Sequence, residues 1–328
     1  MELRTTFRLE PSSRKITYED RVMFIGSCFA SAIGSQMEIG HMPVMINPAG
    51  AVFNPISVCN TLDSITNRKQ FLIDDLHFYE GTWLSFYHYT DFSSDDPIKV
   101  LDKINRRLED AYEHLKHARF LFITFGTARV YKLKKSDLVV SNCHKIPSEQ
   151  FESKLLTIDE IVSVWNAQLD KLKFLFPDLN VIFTVSPVRH WKDGAHGNQI
   201  SKSILFVALD ELQKHKTSPG YFPAYELLMD DLRDYRFYNE DMLHPSIEAI
   251  TYIWEAFAKC YLDNNTLNNW REIGKITRAV NHRLNTDSSI KIKSFAERML
   301  KQITELKIKF PSIDFSREEE HFLKMGNM

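Results

Sequence analysis

Short, almost entirely apolar runs alternate along this chain with longer stretches in which apolar residues recur every three or four positions. The runs at residues 22–25, 120–125 and 181–185 are bounded by polar or turn-forming residues, which is typical of strands buried on both faces of a sheet. Strands separated by helices predict an α/β fold with a parallel sheet and helices on both of its faces. The helical spacing predicts helices at residues 27–37, 97 to about 117, 157–176, 199–214 and 246–262.

Weaker signals fill in the rest of this pattern. Residues 43–46 and 221–222 predict two more short strands, and residues 138–140 predict one arm of a small hairpin. Residues 56–96 carry a cluster of aromatic side chains and histidines, and we interpret them as an insertion that covers the edge of the sheet. The sequence Gly-Ala-His-Gly-Asn at residues 194–198 predicts a turn or a flexible lid.

The pattern changes beyond Asn264. Apolar residues still recur at helical spacing, but residues 271–309 contain ten Lys or Arg against four Asp or Glu. A basic helical patch can contact nucleic acid, yet a solvated helix face is the commoner explanation, so no nucleic-acid partner is expected. We therefore predict an α/β domain over residues 1–263 and a helical extension over residues 264–328, which packs on that domain or joins two subunits in a homo-oligomer.

The composition limits which binding partners and which cellular compartment are expected. The 328 residues include 41 basic and 43 acidic side chains, so no overall charge attracts nucleic acid or an anionic membrane. The amino terminus lacks the apolar segment of a secretory signal, and no run of eighteen apolar residues occurs, which predicts a cytoplasmic protein without a membrane partner. The four cysteines form no Cys-x-x-Cys pair, so neither a disulfide framework nor a zinc site is expected.

Candidate chemistry lies at the end of the first strand and near the end of the predicted α/β domain. The run 22–25 stops at Gly26-Ser27, which places Ser27 at the carboxyl edge of the sheet, beside the amides that begin the next helix. A serine there can also be an ordinary helix N-cap. Asp241 and His244, three residues apart in a loop, can form a pair in which the carboxylate orients an imidazole that accepts a serine proton.

The amino-acid sequences of several short segments match those of one family. Residues 26–30 read Gly-Ser-Cys-Phe-Ala, the signature of the GSCFA family, of which the chain is identified as a member. That family resembles the SGNH (GDSL-type) hydrolases, which carry their nucleophile in the first sequence block and an Asp-x-x-His in the last. The resemblance implies a flavodoxin-like, three-layer fold. The other matching segments are Asn47-Pro48, Phe53-Asn54-Pro55, Gly126-Thr127-Ala128, Asn142-Cys143-His144-Lys145 and Ser186-Pro187-Val188-Arg189.

The resemblance also implies a serine-dependent esterase. Ser27 is then the nucleophile and first oxyanion donor through its amide, His244 the general base, and Asp241 the group that fixes the imidazole tautomer. The expected substrate is a short-chain, acetyl-type ester, such as one on a carbohydrate, and no metal or organic cofactor is implied. An acyltransferase that uses the same site and a non-catalytic binding module of the same fold stay open as alternatives.

The sequence departs from the superfamily where an oxyanion donor is expected. SGNH hydrolases take an asparagine side chain from a Gly-x-Asn-Asp block, but here Ala128 follows Gly126 at that place, and alanine donates no hydrogen bond. Gly126 stays a candidate for the site through its backbone. We expect the Gly50 amide to act as the loop donor, and Asn142 or His144 to replace the missing side chain.

Two further features bear on the substrate and on alternative chemistry. Arg189, followed by His190, comes after the strand at residues 181–185, and this position suits binding of an anionic or polyhydroxylated substrate. Cys28 is an alternative nucleophile, or a metal ligand together with His41, Cys143 and His144, but this spacing matches no strong zinc pattern.

Overall fold

The computed structural model describes residues 4–281 and 288–326. Five strands of this part of the chain form one parallel sheet, and the others form a hairpin and a three-stranded antiparallel sheet. The strands are β1 Arg21–Gly26, β2 Val44–Ile46, β3 His77–Tyr79, β4 Thr82–Leu84, β5 Ala118–Phe125, β6 Arg129–Leu133, β7 Leu138–Val140, β8 Phe151–Leu155, β9 Asn180–Val185 and β10 Gly220–Tyr221.

The central sheet has the strand order β10-β9-β5-β1-β2, and every neighbouring pair is parallel. Counted in chain order, its strands lie 2-1-3-4-5 across the sheet, which is the flavodoxin-like order. The predicted α/β fold with a central parallel sheet is therefore confirmed, and each of the three apolar runs is a strand of that sheet. The predicted hairpin is also present, as antiparallel pairing of β6 with β7.

Helices cover both faces of the sheet. Along β1, Met23 and Ile25 face a core built with α2 to α5, whereas Val22 and Phe24 face a second core built with α1 and α7. The alternation follows from the two-residue period of a strand. The helices are α1 Cys28–Ile39, α2 Pro55–Thr66, α3 Pro97–Lys116, α4 Ile158–Leu175, α5 Gly194–Gln213, α6 Ala224–Glu226, which runs into a π-helical turn at Leu227–Leu232, α7 Ile247–Tyr261, α8 Asn264–Val280, α9 Ser289–Lys309 and α10 Ser316–Gly326.

Two segments differ from the expectation. Residues 56–96 are not one insertion, because α2 packs Val58, Leu62 and Ile65 into the core of the central sheet; only the later part, with β3 and β4, joins the small antiparallel sheet in a separate apolar cluster. Residues 194–198 form no lid but the first turn of α5, which begins at Gly194. The buried Asn198 accepts a hydrogen bond from the His190 amide at 2.8 Å, which ties this turn to the preceding loop.

The carboxyl-terminal helices form a small core of their own and also contact the main one. Ile273, Ile276, Met299 and Phe322 are buried between α8, α9 and α10. Trp270 of α8, in contrast, belongs to the core on the α1 and α7 face of the sheet. The described helices of residues 264–326 therefore pack on the α/β domain; the expectation that they also join two subunits remains a prediction. Among the described residues, every helix is either too short or too polar to span a lipid bilayer.

Candidate active site

The turn between β1 and α1 is fixed by close backbone packing. Gly26 has a φ of +147°, and a Cβ at this position would lie 2.2 Å from the Thr124 carbonyl oxygen of β5, so only glycine fits. Ser27 follows as the N-cap of α1, and its Oγ accepts a hydrogen bond from the Phe29 amide at 3.3 Å. The Ser27 side chain is therefore held at the carboxyl edge of the sheet, as the sequence predicts, and the residue is only 1% exposed.

Asn47 holds the other side of this turn. Its Oδ1 accepts a hydrogen bond from the Gly26 amide at 2.8 Å, and its Nδ2 donates to Ser31 Oγ at 2.8 Å. Because Asn47 is buried and directly follows β2, it connects the end of that strand to the turn that presents Ser27. Asn47-Pro48 stands out in the sequence only as one of the segments that match the family, and these hydrogen bonds were not predicted.

Ser27 and His244 line the same cavity, which has a volume of about 260 Å³. We call it the inner cavity. It lies where β1, β5 and β9 end, which is where open α/β sheets bind ligands. Its lining residues are Ser27, Cys28, Phe53, Gly126, Thr127, Ser186, Val188, Arg189, His190, Trp191, Lys192, Leu243 and His244.

The predicted carboxylate–imidazole pair is present. Asp241 Oδ2 lies 2.6 Å from His244 Nδ1, and Asp241 Oδ1 accepts hydrogen bonds from the Leu243 and His244 amides at 2.9 Å each. These two amides and the imidazole hold the pKa of Asp241 at about 2, well below the ordinary value. The carboxylate is therefore ionised at any neutral pH and favours the tautomer in which His244 Nδ1 carries the proton.

A second and larger cavity, of about 800 Å³, adjoins the first. We call it the outer cavity, and it shares Arg189, Trp191 and Leu243 with the inner one. Asp241 lines the outer cavity rather than the inner one. The remaining lining residues are Met229, Arg233, Asp234, Tyr235, Tyr238 and Met242, so the wall combines aromatic rings with charged groups.

Three residues expected as oxyanion donors do not line the inner cavity. The Gly50 amide donates to the Asn47 carbonyl at 2.8 Å, which closes a turn. Asn142 donates to Thr90 Oγ1 at 3.3 Å and accepts from the His144 amide, and His144 Nε2 lies 2.9 Å from the Ser85 carbonyl oxygen. The structure thus places Asn142 and His144 beside the small antiparallel sheet, where burial lowers the pKa of His144.

Two other expected donors lie at the inner cavity with their amides already bonded. The Gly126 amide donates to the Phe53 carbonyl at 2.7 Å, and the Ser27 amide lies 3.3 Å from the Thr124 carbonyl oxygen. Ala128 does not line the cavity, because its side chain is buried in the core and its amide donates to Ser201 Oγ at 2.8 Å. Among the residues expected to bind substrate, Arg189 does line the cavity.

Sequence reasoning missed a buried lysine beneath the inner cavity. Lys202 of α5 is 1% exposed, and its Nζ donates to the Gly126 carbonyl at 2.7 Å and to the Ser186 carbonyl at 2.6 Å. It therefore joins the chain segments that follow β5 and β9. Burial lowers the pKa of this amine to about 7. No sequence signal distinguishes Lys202 from a lysine on a solvated helix face.

Cys28, the first residue of α1, lines the inner cavity beside Ser27. Burial raises the pKa of its thiol, which disfavours the thiolate that a cysteine nucleophile needs. Its supposed partners lie elsewhere: His41 pairs with Glu318 at 3.2 Å, and His144 belongs to the small-sheet cluster. In the described ranges, no three His, Cys, Asp or Glu side chains are grouped as metal ligands would be.

A second imidazole also lines the inner cavity. His190 Nδ1 lies 3.4 Å from Asp193 Oδ2, and the same carboxylate oxygen accepts a hydrogen bond from Arg129 Nε at 2.8 Å. Burial lowers the pKa of His190 in spite of the nearby carboxylate. A neutral imidazole at this position can exchange a proton with a bound ligand.

Fold and site together define an α/β protein with a serine, two imidazoles and an arginine around a cavity at the carboxyl edge of a parallel sheet. A model of the GSCFA family matches residues 21–257, and a model described as the GSCFA domain protein, C-terminal domain, matches residues 273–326. The chain therefore belongs to the GSCFA family, as its sequence signature predicts.

Two other comparisons add little to this identification. No curated protein matches the chain. One matching solved structure is described as that of "a putative platelet activating factor from Streptococcus pneumonia". It is 12% identical, the match covers 73% of this chain and 84% of that one, and the TM-score is 0.37, so it carries no conclusion about activity.

Proposed function

We propose that this protein is a serine-dependent ester hydrolase of the SGNH type that removes a short, acetyl-type acyl group. The observation that carries the proposal is that Ser27 and His244 line one cavity while Asp241 binds His244 Nδ1 at 2.6 Å. A serine, an imidazole and a carboxylate in these roles are the parts that acyl transfer through an acyl-enzyme requires.

In this mechanism His244 Nε2 accepts the proton of Ser27 as Oγ attacks the ester carbonyl. The imidazolium then returns the proton to the leaving alcohol as the carbon–oxygen bond breaks, which leaves an acyl-serine. A water molecule, deprotonated by His244, then attacks the acyl-serine. The bond from the acyl carbon to Ser27 Oγ breaks, and His244 returns the proton to that oxygen as the carboxylic acid leaves. Because the pKa of Asp241 is held at about 2, the acid limb of the pH profile is not expected to report protonation of this carboxylate.

The Cys28 amide is the proposed oxyanion donor in place of a side chain at residue 128. The first amides of a helix have no acceptor within the helix and favour negative charge. Loss of one such donor typically costs about 10²- to 10³-fold in rate.

The sizes of the two cavities suggest how the substrate divides between them. At about 260 Å³ the inner cavity suits a short acyl group, whereas the outer cavity of about 800 Å³ leaves room for a larger alcohol. The rings of Trp191, Tyr235 and Tyr238 beside charged groups are suited to the apolar faces and hydroxyl groups of a carbohydrate. The proposed substrate is therefore an acetylated carbohydrate or a related metabolite.

The test compares wild type with Ser27→Ala and Cys28→Ala on p-nitrophenyl acetate, p-nitrophenyl butyrate and acetylated sugars. We expect Ser27→Ala to lose essentially all turnover and Cys28→Ala to keep it. Intact-mass spectrometry after treatment with a fluorophosphonate should find one adduct on wild type and Cys28→Ala and none on Ser27→Ala. Turnover or labelling that survives in Ser27→Ala would refute the assignment of the nucleophile.

His190 makes acyl transfer the second candidate function. A second imidazole at the same cavity, 3.4 Å from Asp193, is available to deprotonate an acceptor alcohol. Transfer and hydrolysis differ only in whether an alcohol or water attacks the acyl-serine. Adding glycerol or glucose to the p-nitrophenyl acetate assay separates them, because a transferase forms an acetylated acceptor at the expense of free acetate.

A further inference from the structure

Arg189 is a partly buried cation whose charge the protein does not balance. Its Nε is buried without a hydrogen-bond partner, and Nη1 lies 4.0 Å from the Met229 sulfur. Within the described residues no carboxylate lies at ion-pair distance from this guanidinium, although the neighbouring Arg129 pairs with Asp193 at 2.8 Å. A buried guanidinium without an anion is costly, which suggests that a ligand supplies the missing negative charge.

The inner cavity carries more positive than negative charge. Lys192 and Arg189 both line it, and none of its lining residues is acidic. The nearest carboxylates are already occupied, since Asp193 accepts a bond from Arg129 and Asp241 binds His244. The cavity therefore attracts anions.

The outer cavity offers an anion only one unpaired cation. Arg233 lies 3.5 Å from Asp230, and Asp234 lies 3.6 Å from Arg236, so these charges are balanced within the protein. Arg189 stands at the junction of the two cavities, with its guanidinium 5.7 Å from the centre of the Trp191 ring. A planar guanidinium in this position can form two parallel hydrogen bonds to a carboxylate or a phosphate.

From these observations we infer that the substrate is an ester whose alcohol part carries an anionic group, a carboxylate or a phosphate, that Arg189 binds at the junction of the two cavities. The anion belongs to the alcohol part because the outer cavity is the larger one and the inner cavity is left for the acyl group. This inference rests on the proposed esterase function and adds to it the residue that selects the substrate.

A matched set of acetyl esters tests whether the enzyme prefers substrates with an anionic alcohol part. The substrates are acetylated glucose, acetylated glucuronate and acetylated glucose 6-phosphate, and the readout is the ratio of kcat/KM for each anionic ester to that for the neutral one. We expect wild type to favour at least one anionic ester by about 10- to 100-fold, since charge-assisted hydrogen bonds are worth roughly one to two factors of ten. Comparing kcat/KM for acetylated glucuronate with kcat/KM for acetylated glucose 6-phosphate shows whether a carboxylate or a phosphate is the better ligand.

Variants test whether Arg189 causes the preference for anionic esters. Arg189→Gln should bring the ratio close to one, mainly through KM, and Arg189→Lys should retain part of it, because lysine keeps the charge without the planar fork. Arg8→Gln is the matched control, since it removes the same charge from an exposed side chain, and both Arg8 and its partner Glu10 lie outside the two cavities, so the ratio should stay as in wild type. A wild-type ratio of one or less, or an unchanged ratio in Arg189→Gln, would overturn the inference.

Calorimetry separates this inference from the proposed function. Wild type and Arg189→Gln are titrated with glucuronate, glucose 6-phosphate and glucose, which need no catalysis to bind. Binding of an anionic sugar that is at least about tenfold tighter than that of glucose and is lost in Arg189→Gln supports the inference even if no ester is hydrolysed. Hydrolysis of p-nitrophenyl acetate together with equal binding of all three sugars would instead keep the esterase and reject the anionic substrate.

Discussion

At the scale of single residues, a group can serve the site only if the fold leaves its hydrogen bonds free. Gly50 and Asn142 were reasonable oxyanion donors by residue type, but the amide of the first closes a turn and the side chain of the second bonds to Thr90. A sequence shows which residues can donate a hydrogen bond. It does not show which of these donors are already bonded to another group in the fold. The Gly26-Ser27 turn was predictable because an apolar run, a glycine and a helical pattern follow one another directly.

The glycine at the end of β1 gives a prediction at this scale. In Gly26→Ala a Cβ would lie 2.2 Å from the Thr124 carbonyl oxygen at a φ of +147°, so we expect a loss of about 3 kcal/mol or more in the free energy of unfolding. Gly81→Ala is the control, because Gly81 has a φ of +80° but open space around the new Cβ, and should cost about 1–2 kcal/mol. Urea unfolding measures both, and equal losses would contradict the steric argument.

At the scale of elements, the predicted strands and most helices were found, whereas the start of α5 was not predictable. Gly194 and Gly197 locally favour a turn, but the hydrogen bond from the His190 amide to Asn198 stabilises the helical turn from outside the segment. The same helix carries Lys202 inward, to carbonyl groups that follow two different strands. Both features depend on how α5 packs against the rest of the protein. The periodicity of a single segment carries no information about that packing.

The buried lysine of α5 predicts how stability depends on pH. Its pKa is about 7 in the folded protein and about 10.4 in the unfolded chain, so between pH 7 and 10 the unfolded chain binds a proton that the folded one does not. The free energy of unfolding should therefore rise with pH in this window through Lys202, by at most about 1.4 kcal/mol per pH unit. A neutral amine still has two hydrogens for its two carbonyl acceptors.

Urea unfolding at pH 7, 8 and 9 tests this dependence. Lys202→Met should be less stable than wild type, because both carbonyls lose their donor, and should lack the rise with pH. Lys214→Met, at an exposed position that follows the same helix, should keep the wild-type slope. Parallel slopes for wild type and Lys202→Met would show that the lysine does not change its protonation on unfolding in this window.

At the scale of the whole molecule, the carboxyl-terminal helices are less separate than their sequence pattern indicates. Trp270 of α8 is 9% exposed and packs against Trp254 of α7, with ring centres 5.0 Å apart and ring planes inclined by 45°. Its Nε1 donates to the Gln36 carbonyl of α1 at 2.6 Å. A Cβ at Gly40 would lie 2.1 Å from the Trp270 ring, so the helices fit closely. The predicted boundary at residue 263 therefore cuts through a shared core.

This shared core predicts that the α/β domain and the carboxyl-terminal helices unfold together. Trp270→Ala should destabilise the whole protein by about 3–5 kcal/mol, as loss of a buried tryptophan does, and should keep a single transition. Phe174→Ala, at a position that is 84% exposed, is the control and should change little. The measurement is thermal unfolding followed by circular dichroism and by fluorescence. An unchanged main transition beside a separate loss of helix would contradict the prediction.

The central sheet ends in very short strands on both sides. β2 has three residues and β10 has two, whereas β5 between them has eight. A sheet edge of two or three residues offers few free backbone groups to the edge of another molecule. Self-association by continuation of the central sheet is therefore disfavoured in the native state, because neither of its edge strands is long enough to form an extended ladder with a second copy.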